Sequence, residues 1–263
     1  MTEGQTDRGV SDAEELARLA SGLADAWERA ETVPAPSIER PATTIEEAYR
    51  IQEMIIERRL SSGRRRAGWK MGLTSSPGTE PIVGTLLDDM VVGTGVDLSL
   101  AALVEPLLEA EIAVVIGEHI AADSDVETIA AGAHSVAAAL EVIDYRTKGA
   151  AGAVDWVADN ATVAFAVVSE AVPFTEVPSL AGIGVELFGG AESMAAGDGS
   201  LVMGDPLRAL QWLATHLARR GHALDAGDVV LTGSLTGHHR AVADVVYTAR
   251  FDQIGSAAVR FVV

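Results

Sequence analysis

The stretch Leu107-Leu108-Glu109-Ala110-Glu111-Ile112-Ala113-Val114-Val115-Ile116 reads as a β-strand: a short apolar run, β-branched toward its end and stopped by Gly117. Side chains alternate faces along a strand, so Glu109 and Glu111 point the same way. Beyond Glu111 both faces are apolar, which describes a strand buried on both sides with two carboxylates at its start. Like charges held together away from water are costly unless a cation compensates. A hard divalent ion with oxygen ligands does so. The alternative is a strand whose first residues are solvated.

Composition sets the outer limits. The chain has 263 residues, 48% hydrophobic and 22% charged, enough for a large core in one domain or one domain plus an appendage. A net charge of −19 argues against nucleic acid and anionic membrane as partners, though not against an anionic substrate in a locally positive cleft. Without cysteine there is no disulfide framework, thiolate zinc site or cysteine nucleophile. No apolar run reaches the ~18–20 residues that span a bilayer, and the polar N-terminus lacks a signal-peptide pattern. A cytoplasmic location is expected.

Residues 1–10 read as disordered. Ser11 with Glu14, and Thr44 with Glu47, have the spacing of capping boxes. They predict helices through about Arg29 and to Ser61-Ser62-Gly63, joined by a proline-bearing linker. Arg64-Arg65-Arg66 reads as a solvated turn. Further on, strands are expected around Trp69-Met71-Leu73, at Ala139–Tyr145, Val163–Val168, Gly184–Phe188, Val229–Thr232, Val242–Phe251 and Ala257–Val262. Helices are expected at Val126–Ala138 and from Asp205-Pro206 to Gly221. Gly149–Gly152 reads as a mobile small-residue loop. Helices first and strands afterwards, without βαβ alternation, predict an α+β fold with a largely antiparallel or mixed sheet.

Other residues stand out chemically. Glu141 lies inside the apolar run Ala139–Ile143, as a third metal ligand or as an edge residue with a surface arginine. Lys70 shares a strand face with Gly72 and Thr74, which leaves room for an anion beside it; alternatively its amine reaches solvent. Asp144 and Arg146 are spaced i,i+2, so Arg146 either binds a substrate carboxylate or pairs with Asp144. Asp159-Asn160 form a turn or a pocket wall. Thr232-Gly233-Ser234 line a site at a strand end or simply turn. Adjacent side chains such as His238 and His239 diverge, which argues against their both ligating one metal.

Together, Lys70-Met71-Gly72-Leu73-Thr74-Ser75, Leu108-Glu109-Ala110-Glu111-Ile112-Ala113-Val114-Val115, Leu140-Glu141-Val142-Ile143-Asp144-Tyr145-Arg146 and Val157-Ala158-Asp159-Asn160-Ala161 resemble the 2-oxopent-4-enoate hydratase and 4-oxalocrotonate decarboxylase family of the fumarylacetoacetate hydrolase superfamily. Gly204-Asp205-Pro206-Leu207, Gly227–Gly233 and Ile254-Gly255-Ser256 add to the resemblance, which runs from about residue 44 to the end. It implies a mixed, bent β-roll or sandwich with surrounding helices over residues 67–263, after a helical N-terminal segment, 1–66. It implies Mg²⁺ or Mn²⁺ held by Glu109, Glu111 and Glu141, with Lys70 as the site's lysine. It also implies a homo-oligomer and association with a sister enzyme of the same pathway.

Four departures accompany the resemblance. Ser76-Pro77-Gly78-Thr79-Glu80 is short, and Asp205 stands where the family often has histidine. Ile82 stands where hydratases carry an acid, and His238-His239-Arg240 replaces small apolar residues. The expected function is metal-dependent decarboxylation of a small anionic 2-oxo acid, of the 2-oxohex-3-enedioate type, through a metal-stabilised dienolate. Lys70, Arg146 and Asp159 are its expected catalytic residues, and Ile82, Asp144, Thr232 and Ser234 line the pocket. Hydration of 2-hydroxypenta-2,4-dienoate is the rival. A weakly active metal-binding partner subunit is a third reading. Carbon–carbon hydrolysis is disfavoured because no His–Glu pair precedes the metal acids.

Overall fold

The computed structural model describes residues 11–76, 78–149 and 152–263. The expected disorder at residues 1–10 lies outside the described residues, as do Pro77 of the short segment and Ala150-Ala151 of the expected mobile loop. Both capping boxes form. Ser11 and Glu14 cap the helix Asp12–Arg29, and Thr44 and Glu47 cap Ile45–Ser61. The two helices bury Leu16, Leu19, Leu23, Ile51 and Ile55 in the same apolar cluster as strand residues such as Ile112 and Phe261. Full burial of each such side chain is worth about 1.5–3 kcal/mol.

A nine-stranded mixed sheet carries the site. Its path runs through Ile82–Leu87, Arg66–Gly72, Val229–Ser234, Pro106–Ile116, Ala133–Asp144, Val163–Val168 and Val91–Gly93. Two short strands, Val172–Pro173 and His239–Arg240, join it beside Ala133–Asp144 and Pro106–Ile116. A five-stranded sheet is ordered Glu192–Asp198, Gly184–Gly189, Val246–Phe251, Gly255–Val262 and Val96–Ser99. Most pairs are antiparallel, but Val229–Ser234 runs parallel to Arg66–Gly72 and Gly255–Val262 parallel to Val96–Ser99. The α+β class therefore holds, with helices before and around mixed sheets.

Cross-strand register decides which side chains share a face. Lys70, Leu231, Ala113 and Ala137 lie opposite one another across four neighbouring strands. That row puts Lys70 on the face of Glu109, Glu111, Ala139 and Glu141. The alanines leave this face low, so the acids are not crowded out. Trp69, Val230, Val114 and Val136 form the adjacent row on the opposite face and belong to the larger apolar cluster.

Three expected elements need correction. The helix from Val126 stops at Gly132, and Ala133–Asp144 is a strand. Alanine favours helix locally, but pairing with Pro106–Ile116 along its whole length overrides that preference. The Lys70 strand ends at Gly72, because Leu73 takes a left-handed backbone (φ 62°). The strand expected from Val242 begins at Val246, after Asp244 also turns left-handed (φ 62°).

Candidate metal centre

Glu109 and Glu141 are direct register partners on antiparallel strands, and Glu111 follows two residues along on the same face. Directly opposed Cβ atoms lie about 4.5–5.5 Å apart, close enough for carboxylates to share one ion. One oxygen from each of Glu109, Glu111 and Glu141 lies within 4.8 Å of the others. Glu111 and Glu141 are completely buried, while the Glu109 side chain retains 15% exposure.

The donors around the acids are too few for three carboxylates. The Gly233 N–H donates to Glu111 Oε2 at 2.7 Å. Lys70 Nζ lies 3.0 Å from Glu141 Oε1 as an ion pair. Glu111 Oε1 and Glu141 Oε2 are buried without a hydrogen-bond partner among the described residues, and Glu141 Oε1 has only its ion pair with Lys70. Such orphaned oxygens cost several kcal/mol unless something binds them. Three carboxylates and one ammonium leave two negative charges, the amount a divalent cation offsets. All-oxygen donors of this kind suit Mg²⁺ or Mn²⁺. The residues therefore fit a hard divalent ion.

The carboxyl groups show the strain electrostatically. Burial, then Glu141 and Glu109, hold the Glu111 carboxyl well above the usual range. Burial raises Glu141 to about 6, with Lys70 pulling it down. For Lys70, burial is the largest single effect and lowers its affinity for a proton. The three acids together outweigh it, so the ammonium is held.

Gly233 marks a bulge where the Val229–Ser234 strand slips by one residue against Pro106–Ile116. Its φ of 118° and its place against Thr74 both require glycine: a Cβ there would fall 1.8 Å from Thr74 Oγ1. The bulge aims the Gly233 N–H at Glu111. Thr232 is buried and its hydroxyl donates to the Ile112 carbonyl, while Ser234 stands opposite Glu111 and its hydroxyl accepts from Thr236 N. Ile82 is buried on the Lys70 face. A Cβ on Gly72 would meet Ile82 Cγ1 at 3.0 Å and Lys70 Nζ at 3.6 Å. Ile82 also borders a cavity of about 490 Å³ with Tyr49, Arg50, Arg219 and Arg220.

Arg146 and Asp144 do not pair with each other. Arg146 is buried; its Nε donates to Asp159 Oδ1 at 2.7 Å and its Nη2 to the Asp159 carbonyl at 3.0 Å, and its guanidinium lies over Trp27. These contacts occupy its guanidinium. Asp144 accepts from the Val104 and Glu105 amides, not from Arg146. Asp159 is likewise committed to Arg146, and burial raises its carboxyl to about 6 against that arginine's pull.

Of the two readings of Asp159-Asn160, the turn is the one the structure has, but its conformation was not foreseen. Asn160, Ala161 and Thr162 are all left-handed, with φ of 52°, 48° and 62°. Asn160 clamps the turn to the neighbouring strand, accepting from Thr85 N at 2.8 Å and donating to Thr85 O at 2.9 Å. A Cβ on Gly84 would fall 2.6 Å from the Asn160 carbonyl and 3.2 Å from Lys70 Cγ. Glycine at 84 thus lets the strained turn pack beside the lysine stem. The available signal was that glycine, inside the apolar run Ile82–Leu87.

Residues 67–262 match the family described as fumarylacetoacetate (FAA) hydrolase C-terminal. A 2-keto-4-pentenoate hydratase of Burkholderia vietnamiensis is 34% identical over 268 residues, covering 96% of this chain and 99% of that protein. A 4-oxalocrotonate decarboxylase of Pseudomonas putida is 31% identical over 257 residues, covering 95% and 97%. The structure of 4-oxalocrotonate decarboxylase from Pseudomonas putida G7, complexed with magnesium and adipate, superimposes with a TM-score of 0.90 at 28% identity, covering 96% of this chain and 99% of that one.

Proposed function

We propose, from the premise that this chain belongs to the fumarylacetoacetate hydrolase family, that it is a divalent-metal-dependent lyase removing CO₂ from an unsaturated 2-oxo dicarboxylic acid of the 2-oxohex-3-enedioate type. One observation carries the reading: three acids, two of them with unpartnered buried oxygens, share a face with Lys70, and the residue flanking Lys70 is the apolar Ile82.

Glu109, Glu111 and Glu141 would hold Mg²⁺ or Mn²⁺. The bound ion supplies Lewis-acid stabilisation of the negative charge that builds on the substrate's C2 oxygen. In the substrate the bond from C5 to the distal carboxylate breaks, and its electron pair moves through the alkene to that oxygen. No base is needed for this step. Lys70, held protonated by the acids, orients the substrate anion and returns a proton to the product. Ile82 keeps water and charge from the departing carboxylate. Arg146, Asp159 and Asn160 position Lys70 through the turn against Gly84. Thr232 and Ser234 brace the bulge that aims Gly233 at Glu111.

Hydration of 2-hydroxypenta-2,4-dienoate is the second reading, favoured by the Burkholderia relative. The test incubates the purified protein and Mg²⁺ separately with the oxo-diacid and the dienoate. CO₂ release from the diacid, exceeding diene loss, is expected. Diene loss alone would identify a hydratase, and neither activity would identify a partner subunit. The catalytic β-roll, 67–263, is preceded by its helical segment and works as a homo-oligomer, in association with a sister enzyme, in the cytoplasm. No helix among the described residues is long and apolar enough to cross a membrane.

A further inference from the structure

The strand pair at the edge of the nine-stranded sheet, Arg66–Gly72 with Ile82–Leu87, has a second lined face. Lys70, Gly72, Ile82 and Gly84 lie on the side of the metal centre, while Trp69, Val83 and Thr85 lie on the reverse. Behind that reverse face is a cavity of about 340 Å³, bounded by the helices Ile45–Ser61 and Pro206–Arg219. Its volume falls in the range of small-molecule sites. Tyr49, Arg66, Trp69, His216 and His222 stand around it.

Arg66 closes the basic run Arg64-Arg65-Arg66. Arg64 and Arg65 pair with Asp89 and Asp88, but Arg66 is half-buried and pairs with no acid among the described residues. Its Nη1 donates to His222 Nδ1 at 3.4 Å, and its Nε is buried without a partner. An unpartnered buried donor costs free energy until something accepts from it. Most other polar groups at the cavity are donors too. Tyr49 Oη accepts from Val83 N at 3.1 Å, and its own proton is uncommitted among the described residues. Burial holds that phenol up at about 12, so the proton stays on. A guanidinium only donates, so His222 Nδ1 accepts from Arg66 and His216 Nε2 accepts from Arg220 Nε at 3.2 Å. The ring protons therefore sit on the opposite nitrogens. Burial, and after it the neighbouring arginine, lowers each ring's affinity for a second proton. Of the two acids at the cavity, Glu57 is exposed at the rim and Glu53 lies 3.9 Å from Arg220.

An organic cation does not suit these walls. The Trp69 and Tyr49 faces that would take one already carry Arg66 and Arg220, at 4.7 and 3.6 Å from the ring centroids. An anion does, and its shape follows from the donors. With Nη1 spent on His222, Arg66 has its Nε–Nη2 edge left, a fork that matches the two oxygens of a carboxylate. Two aromatic rings and two imidazoles make the surrounding walls flat. We propose that this cavity is a second ligand site, which takes a small planar carboxylate with its anionic end on Arg66 and Tyr49. An occupant touches the strands that carry Lys70 and Ile82 without entering the metal centre. The site stands independently of the reaction assigned above.

Calorimetry with benzoate on the full chain in EDTA tests it while keeping metal-bound carboxylates out of the readout. One saturable site is expected, with affinity unchanged in the metal-centre variant Glu111→Gln. Arg66→Met should weaken it about tenfold, and Arg66→Lys, which keeps the charge but loses the fork, by less. Benzylamine, of the same shape and opposite charge, should not bind. Circular dichroism identifies the folded variants, and if Arg66→Met does not fold, Arg66→Lys carries the comparison. Uptake that does not saturate, equal affinity in wild type and the folded Arg66 variant, or binding of benzylamine would overturn the proposal. Loss of benzoate in Glu111→Gln would overturn it as well, by moving the carboxylate to the metal centre.

Discussion

Ile82→Asp puts the choice of reaction to a direct test. Ile82 is 5% exposed and shares with Lys70 the space above Gly72. An aspartate there would lie within about 7 Å of the ammonium, where an effective dielectric near 20 gives an attraction on the order of 2 kcal/mol. That partly offsets the cost of burying the new charge, so the variant should fold, though less stably. Against the departing carboxylate, at about 4 Å, the same arithmetic gives a repulsion near 4 kcal/mol as an upper guide. If water and partial protonation relieve half of it, kcat/KM for the diacid falls by roughly tenfold to a hundredfold. The dienoate has no charge at that end, so its turnover falls less. The assay measures both activities at fixed pH and Mg²⁺, with Ile82→Asn as the uncharged control of similar size. The ratio of hydration to decarboxylation should rise at least several-fold in the aspartate variant and not in the asparagine one. An unchanged ratio in a folded, Mg²⁺-binding variant would refute the role given to Ile82.

Other variants probe the supports of the centre. Glu111→Gln removes a buried charge whose carboxyl burial already pushes upward; thermal unfolding should show a higher midpoint without metal and no rise on adding Mg²⁺. Arg146→Met leaves Asp159 buried without its partner and should cost about 3–5 kcal/mol in urea unfolding at pH 7, most of it recovered in Arg146→Met/Asp159→Leu. His216 is lowered to about 4, by burial and then by Arg220, so between pH 6.5 and 4 the unfolded chain takes up the proton first. Stability should therefore fall on acidification through that window. The contribution is about 1–2 kcal/mol after allowance for the partial exposure of His216, and a flatter pH profile in His216→Phe would confirm it.

Helix starts were legible because capping is local chemistry: Ser11 with Glu14, Thr44 with Glu47, and Asp205 before Pro206 each satisfy amides within three residues. The helix wrongly extended to Ala138 shows the limit. Its alanines are in the sheet because pairing with Pro106–Ile116 puts Ala137 on the low face of the acids and Ala138 in the apolar cluster opposite, a demand set by strands distant in sequence. The ends of the strands at Leu73 and before Val246 were illegible for another reason. Hydrophobic alternation does not register a left-handed turn at a residue that is not glycine.

Within the centre, the strand period alone put Glu109 and Glu111 on one face, and Glu141 stood out as a charge in an apolar run. The register that sets Glu109 opposite Glu141 is tertiary; the residues left Glu141 as a third ligand or an edge residue, and the family resemblance favoured the ligand. The partner of Arg146 was not legible because i,i+2 spacing joins it to Asp144 only if the strand continues. It stops at Asp144, and the chain turns the arginine toward Asp159 instead. Three consecutive left-handed residues after Asp159 cost about 1–2 kcal/mol each. Both hydrogen bonds of the Asn160 amide to Thr85, and the Arg146 guanidinium on the Asp159 and Val163 carbonyls, offset that cost. An ordinary turn would need none of them. What this one gains is proximity: its backbone reaches the empty side of Gly84, beside the Lys70 stem, and leaves that lysine little room to move from Glu141. In the proposed mechanism the buried arginine would bear on the chemistry through the posture of Lys70.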